Sequence, residues 1–524
     1  QLGYPVTIGS AGMQLIGLIP KLHVNQLSLH SRDHQQVLLS LESLDLGLDI
    51  LDSIQRTTPV LNDITLTGLA LSLIRTEAGE VTLRGFNTSQ QGANKLGWNE
   101  WAGLLNRFHF NGITVDYTDQ TSPPLSGRYY LMSGEVSHDE SQWRTAATIQ
   151  LPDTLGKLVQ FEAELDIIDE RFKLSPWQGT IKAGQLFLPQ QEEGFIWQDI
   201  SIQQAKADLN IAITGLGNQI ESIISTIKLA DIELKAVTFD DVEPVMINQL
   251  HGQFDLQRQS DDSWRLKGQQ LVLTINNEHW PETNFIVNRT KDLWSFSSDY
   301  LRLSDVSLLA DLSAYSPEQI RKQKPAGDIE NIVVDYSEQS GLVGLNFTLN
   351  EGTFLPWKEL PGVTGLSLKL DWNKNLANIA LRSHNLTLYA DKWLEDSLFF
   401  DSVMGSLKFQ QRDKTWALHS QQFTVWNDDL NLQLDGSIEQ DESGDIRHNV
   451  MLKLADVVVN RWKKYVPNKQ LGESFKEWSD KAFVEGNIVD GLITLRGNLA
   501  DFPYQQQGDD GSFDMTLNVE NVQL

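Results

Sequence analysis

The chain has 524 residues, 40% apolar and 21% charged, which is the composition of an ordered protein and not of a disordered tract. Seventy acidic residues against 42 basic give a formal charge of −28 with no Lys/Arg run, which argues against nucleic acid and against electrostatic capture by an anionic membrane. Without cysteine there is no disulfide framework, thiol nucleophile or Cys-ligated metal site.

Gln1 opens the chain, and the longest early apolar stretch, MQLIGLIP, is far shorter than the roughly 20 residues that span a bilayer. LDLGLDI then puts Leu44, Leu46, Leu48 and Ile50 on one face of a strand and Asp45, Gly47 and Asp49 on the other. NDITLTGLALSLI alternates twice, first with Ile64 and Leu66, then with Leu69, Leu71 and Leu73 on the opposite parity. FHFNGITVDY repeats the switch, from Phe108 and Phe110 to Ile113, Val115 and Tyr117. Residues i and i+2 share a face, so each switch strands the second set on the wrong side unless one extra residue intervenes. A β-bulge at Gly68 and another at Gly112 would restore the facing and bend the strand. A tight Asn111-Gly112 hairpin is the alternative, but it leaves a very short first strand.

Further on, ADLNIAIT sets Leu209, Ile211 and Ile213 on one face, and DLNLQLDG does the same with Leu430, Leu432 and Leu434. The chain also resembles itself. HGQFDLQRQSDDSWRLKGQQLVL (251–273) matches MGSLKFQQRDKTWALHSQQFTV (404–425), with Gly252 and Gly405 leading and Trp264 and Trp416 opening the return strand. A Gln-Gln pair precedes Leu271 and Phe423, and a weaker third copy runs through Gly365, Leu368, Leu370, Ile379, Leu381, Leu386 and Leu388. Repeated hairpins added side by side make an elongated sheet. Helical turns are expected over 98–108 and 316–323. A longer amphipathic segment is expected within 460–485, where Leu471, Phe475 and Trp478 recur at helical spacing and Trp462 precedes them.

No constellation for chemistry emerges. His23, His30 and His34 fall on strand and turn positions and read as solvated side chains, and no metal ligand set is assigned. The acidic turns at 441–445 and 509–511 lack the spaced ligands of a calcium loop. No phosphate loop or GxSxG elbow occurs, and no nucleophile, base and orienter can be named together. The chain is read as a non-enzyme without a cofactor.

A sheet apolar on one face must hide that face, and the helices are too few to cover it. It either packs as a sealed sandwich or stays open as a trough for something apolar. Each buried methylene contributes about 0.8 kcal/mol, so one acyl chain offers on the order of 10 kcal/mol before ordering costs. About 25–30 strands at roughly 4.8 Å would make a trough on the order of 120–140 Å long, which suits passage.

YPVTIGSAGMQL, LLSLESLDLGLDILDSI and DITLTGLALSLIRTEAGEVTLRGF resemble the N-terminal signature of the AsmA-like proteins of Gram-negative bacteria. LPWKELPGVTGLSLKLDW and the stretch from Asn460 to Tyr504 resemble the YhdP branch of that family. The resemblance implies a repeating β-groove similar to that of bridge-like lipid transfer proteins. It also implies a periplasmic location with an inner-membrane anchor absent from these residues, and this chain as the N-terminal half of a longer protein. It further implies a role in moving phospholipid between inner and outer membrane and in keeping the outer-membrane barrier intact.

The expected fold is therefore mainly β: an elongated, twisted, curved antiparallel sheet forming a long groove with an apolar concave face and few short helices. Residues 1–459 form the continuous groove, 460–490 a helical segment packed on or capping it, and 491–524 its resumption. The expected lining is Leu44, Leu46, Leu48, Ile64, Leu66, Leu209, Ile211, Ile213, Leu271, Leu273, Leu386, Leu388, Leu407, Phe409, Leu430, Leu432 and Leu434. Phospholipid acyl chains, the inner membrane and other envelope proteins at the groove ends are the expected partners. A sealed scaffold, a polysaccharide-binding module or a glycoside-processing enzyme are the rival readings.

Overall fold

A computed structural model describes residues 5–523 except 17–18, 32–35, 58–59, 85–106, 140, 169–173, 189–193, 198, 240, 261–262, 315, 413, 466–484, 502–503 and 505–509. The described residues form 29 strands, interrupted by short helices at Ile50–Arg56, Leu303–Asp311 and Glu318–Gln323 and by single 3-10 turns. The protein is thus mainly β and its sheet mostly antiparallel. It divides into two compact units, Gln1–Val237 with Glu243–His279, and Thr238–Val242 with Trp280–Leu524.

In the first unit Val6–Ile16, Ile19–His30 and Val37–Asp49 lie side by side, each antiparallel to the last. Val60–Thr67 and Ala70–Arg75 follow one another along the next position, antiparallel to Val37–Asp49. Arg107–Asp119 then runs parallel to both, the one departure from antiparallel order among the described strands of this unit. From there Gly127–His138, Gln142–Gln150, Leu158–Asp166, Pro176–Phe187, Ile200–Leu216, Gln219–Ala236, Val245–Ser260 and Ser263–Ile275 each pair antiparallel with the one before.

The second unit repeats this plan. Thr283–Thr290 and Leu293–Arg302 lead to Ala326–Ser337, Gly341–Phe354, Gly362–Asn373 and Leu376–Tyr389. Leu398–Arg412, Thr415–Asn427, Leu430–Gln440, Ile446–Val458, Glu485–Asn498 and Gly511–Gln523 complete it, all antiparallel. Its connections differ at the two strand ends. One end has tight turns such as 374–375. The other carries the two helices, the 355–361 loop and the 390–397 loop, which fold apolar residues onto the sheet. Leu386, Ala390, Leu394, Leu398, Phe400 and Val403 form a buried cluster there, with Trp393 and Tyr465 against it. Ile329, Ile332 and Leu349 form another beside the helix at Leu303.

The parity switches resolve into left-handed residues. Gly68 and Gly112 have φ of +65° and +64°. Thr67 pairs with Asn111 and Ala70 with Thr114, a constant offset, so the two interruptions sit side by side. Gly68 breaks what the sequence presents as one strand into two, whereas Gly112 lies within a continuous strand, opposite the point between Leu131 and Ser133 where the register shifts against Gln142–Gln150. Phe110 pairs with Gly134 and Ile113 with Leu131. Those two pair with Ala147 and Ile149, which are two apart in an uninterrupted strand. Phe110 and Ile113 therefore share a face although three residues separate them.

The internal repeat is the same device with a different residue. Gln270 and Gln422, the second members of the two Gln-Gln pairs, have φ of 51° and 50°, and Asn385 in the third copy has 54°. Each faces the leading glycine of its copy. A Cβ on Gly405 would lie 2.5 Å from the Phe423 Cα, and one on Gly365 2.7 Å from the Asn385 carbonyl oxygen. The register shifts at these points, as a bulge requires.

Two local expectations differ from the structure. Ile50 starts a helix instead of ending the strand before it. Arg107 and Phe108 begin a strand, and the rest of the helix expected over 98–108 lies outside the described residues. The turn expected over 316–323 is present as Glu318–Gln323, with Pro317 before it. Trp462 lies in a 3-10 turn, Val459–Tyr465, while Leu471, Phe475 and Trp478 lie outside the described residues.

Candidate functional site

Strand pairing decides which side chains share a face, because directly opposed residues point the same way. In the first unit one row runs Val24, Leu44, Leu66, Phe110, Gly134, Ala147, Phe161, Ile181, Ile211, Ser225, Phe254. A second runs beside it through Leu22, Leu46, Ile64, Phe108 and Val136, and later through Ile213, Ile223, Leu256 and Leu266. Leu209 opposes Ala183 and Ile227, and Leu273 opposes Leu250. Leu271 sits at the Gln270 bulge against Gly252. Leu48 opposes Leu61 near the strand end.

The second unit has equivalent rows. Ile379, Leu407, Ser420, Gly436, Val450, Leu495 and Phe513 oppose one another in turn, with Phe409, Leu418 and Ile438 alongside. Val425, Leu432 and Leu454 form a further row, as do Phe423, Leu434, Leu452 and Ile493. Leu386 and Leu388 oppose Phe400 and Leu398, inside the buried cluster at the covered strand ends, and Leu430 opposes Asn427. Apart from Leu430, which faces Asn427, and Leu271, which faces Gly252, the expected lining residues oppose apolar side chains within their own unit.

Those rows are not sealed. Ile64, Leu273 and Leu386 are buried, and the other fourteen expected lining residues are half-buried. On Ile200–Leu216 the half-buried Ala207, Leu209 and Ile211 alternate with the exposed Lys206, Asp208 and Asn210.

The opposite face is polar and laced with ion pairs. His23, Asp45, Thr65, His109 and Glu135 oppose one another across five strands. Lys21 meets Asp63 at 3.3 Å, Arg107 meets Glu135 at 3.6 Å and Arg144 meets Glu164 at 3.9 Å. A concavity of about 500 Å³ lies along this charged strip, between Arg107, Glu135, Arg144 and Glu164. Sequence reading missed it, because only the register brings those alternate polar residues together.

The candidates for chemistry have structural partners. His23 pairs with Asp45, and the His30 ring bonds the Thr7 hydroxyl at 3.0 Å; His34 lies outside the described residues. The Asp441 carboxylate accepts from the Ser443 hydroxyl and the Ser443 and Asp445 amides, which hold it below the usual carboxylate range. Among the described residues no three metal-type ligands cluster. Trp177 donates its indole N–H to the Gly217 carbonyl at 3.0 Å, and Trp294 to Glu338 at 3.0 Å. The repeat tryptophans do the same kind of work: Trp416 stacks on Phe409 and Trp264 lies under Arg258.

Tyr465 closes over the covered end of the second unit. Its ring lies 6.2 Å from that of Phe400, and its hydroxyl meets Asn427 at 2.8 Å and Asp429 at 3.2 Å. Burial pushes its pKa up to about 12, with the Asp429 charge adding to the rise.

No described helix is long and apolar enough to cross a membrane. No curated protein and no solved structure matches the chain. A family model described as YhdP protein matches residues 1–524, the whole length read. The tandem apolar rows and that match agree: this chain belongs to the YhdP family.

Proposed function

We propose that this chain carries phospholipids along its apolar face, as part of a periplasmic conduit between the inner and outer membranes that supports the outer-membrane barrier. Membership of the YhdP family points to lipid transport in the cell envelope. The observation that carries the reading is the apolar face itself, continuous from strand to strand within each unit, half-exposed, and backed by a charged face. An acyl chain laid on such rows removes methylenes from water at about 0.8 kcal/mol each. Headgroups remain at the open side in water, so no charge is desolvated. The role needs no chemical step and no cofactor.

In this reading the seventeen aliphatic and aromatic lining residues are contact residues for tails, and single ones are interchangeable. Anchorage in the inner membrane and partner proteins at the groove ends complete the proposal. Mass spectrometry of lipids extracted from the chain, purified from a bacterial periplasm without detergent, tests it. Several phospholipids per chain, released when charges are placed on the rows, are expected. A folded, lipid-free protein would move the reading to a sealed envelope scaffold.

A further inference from the structure

Five apolar side chains stand in water near the ends of the first strands of the first unit. Met13 and Leu15 on the edge strand are 72% and 65% exposed. On the helix Ile50–Arg56, Ile50, Leu51 and Ile54 are 42%, 81% and 70% exposed. Register brings the two groups together. Leu15 pairs with Pro20, and the pairing of Lys21 with Gly47 sets Pro20 level with Leu48, two residues before the helix begins.

The helix shows its aliphatic residues to water. Its Ser53 hydroxyl donates to the Asp49 carbonyl and accepts from the Val60 amide at 2.9 Å, which ties Ser53 to the protein. Ile50 and Ile54, one turn apart, and Leu51 are exposed. A helix on a globular protein buries its apolar stripe instead. Single exposed aliphatics need no explanation, but a contiguous group does.

We propose that this cluster enters the hydrocarbon of a phospholipid bilayer and seats this part of the apolar face on the membrane. The inference rests on the lipid-groove reading and adds where lipid enters or leaves it. The chemistry of the patch favours lipid over protein: its exposed aliphatic side chains are Met, Leu and Ile, and no Trp or Tyr of the kind that anchors protein contacts is among them. The patch also continues into the groove. Met13 opposes Leu22, Leu22 opposes Leu46 and Leu46 opposes Ile64, so a tail leaving the bilayer crosses no polar strip. A net charge of −28 leaves insertion, and not headgroup attraction, as the source of binding.

Flotation with phosphatidylcholine vesicles tests this. The chain should float with the vesicles equally at low and high salt, and Leu51→Glu with Ile54→Glu should weaken binding at least tenfold. Phospholipid co-purified with that variant should be unchanged, which separates this contact from the groove. A wild-type chain free of lipid that still floats would sink the groove reading and leave the contact standing. Because the chain has no cysteine, Leu51→Cys can carry a single environment-sensitive dye even if the charged variant fails to fold. Its emission should shift to the blue on vesicles, while a dye on Asn210→Cys on the polar face should not respond. A wild-type chain that stays with the buffer, a charged variant that floats normally, or a silent dye would overturn the proposal. A dye shift that follows protein concentration without vesicles would also overturn it, in favour of contact with a second copy.

Discussion

Replacing Ile211 with aspartate separates an open apolar face from a sealed core by the size of the effect. Ile211 lies between Ile181 and Ser225 on the neighbouring strands, with Leu209 and Ile213 along its own, and it is half-buried. Burying an isoleucine side chain fully contributes about 1.5–3 kcal/mol, so half-burial forfeits about 1–2 kcal/mol when the side chain is lost. On an open face the new carboxylate stays hydrated and adds little more. Under a second layer it would be an unpaired buried charge costing several kcal/mol beyond the lost contacts. Urea unfolding with an unchanged slope gives the stability difference, and lipid extraction gives the occupancy. The expected result for the single variant is a loss of about 1–2 kcal/mol with little change in bound phospholipid. Leu432→Asp in the second unit shares no ladder neighbour with Ile211, so the double variant should show both costs added, together with a severalfold fall in bound phospholipid. A destabilisation beyond about 4 kcal/mol, or full lipid content in the folded double variant, would refute the open face.

Other expectations are more local. Asp119 is buried and accepts from the Thr121 hydroxyl, the Thr121 and Ser122 amides and the Tyr117 hydroxyl. Burial opposes its ionisation, but those hydrogen bonds outweigh it and hold the carboxyl well below its ordinary 3.8. Its contribution is therefore complete above that value and lost as pH falls through the lower folded value, so Asp119→Asn should flatten the acid limb of a stability–pH curve. Gly405→Ala should destabilise by about 1–3 kcal/mol, since the added Cβ meets backbone at 2.5 Å and φ is +148°. Gly252→Ala should cost less than about 1 kcal/mol, because its nearest neighbour is the Leu271 methyl at 3.3 Å; equal costs in urea unfolding would contradict the bulge account. Tyr465→Phe should remove a phenolate absorbance step near pH 12 and about 1 kcal/mol of stability.

Much of the local architecture was legible because alternation is a property of consecutive residues. A strand turns every second side chain to one face wherever it lies, so the rows through Leu209, Ile211 and Ile213 or Leu430, Leu432 and Leu434 needed no partner to be read. The parity switch at Gly112 was legible for the same reason. The switch at Gln270, from Leu266 and Gly268 to Leu271 and Leu273, carried the same signal without a glycine to mark it. The helix at Ile50 was not legible, because Leu44 to Ile50 extends the strand period into it.

What the sequence by itself determined is the two-faced strand, its repeat and the family they belong to. Only the tertiary structure decided which strands neighbour which. The parallel pairing of Arg107–Asp119 with Val60–Thr67 and Ala70–Arg75 joins residues some forty positions apart, and hydrogen bonding across that separation leaves no local trace. The structure alone also decided that the apolar rows stay half-exposed while Leu386 and Phe400 are covered by the 390–397 loop. Burial is a property of what packs against a side chain, and an alternating pattern reads the same whether a second layer, a loop or a lipid supplies the other half.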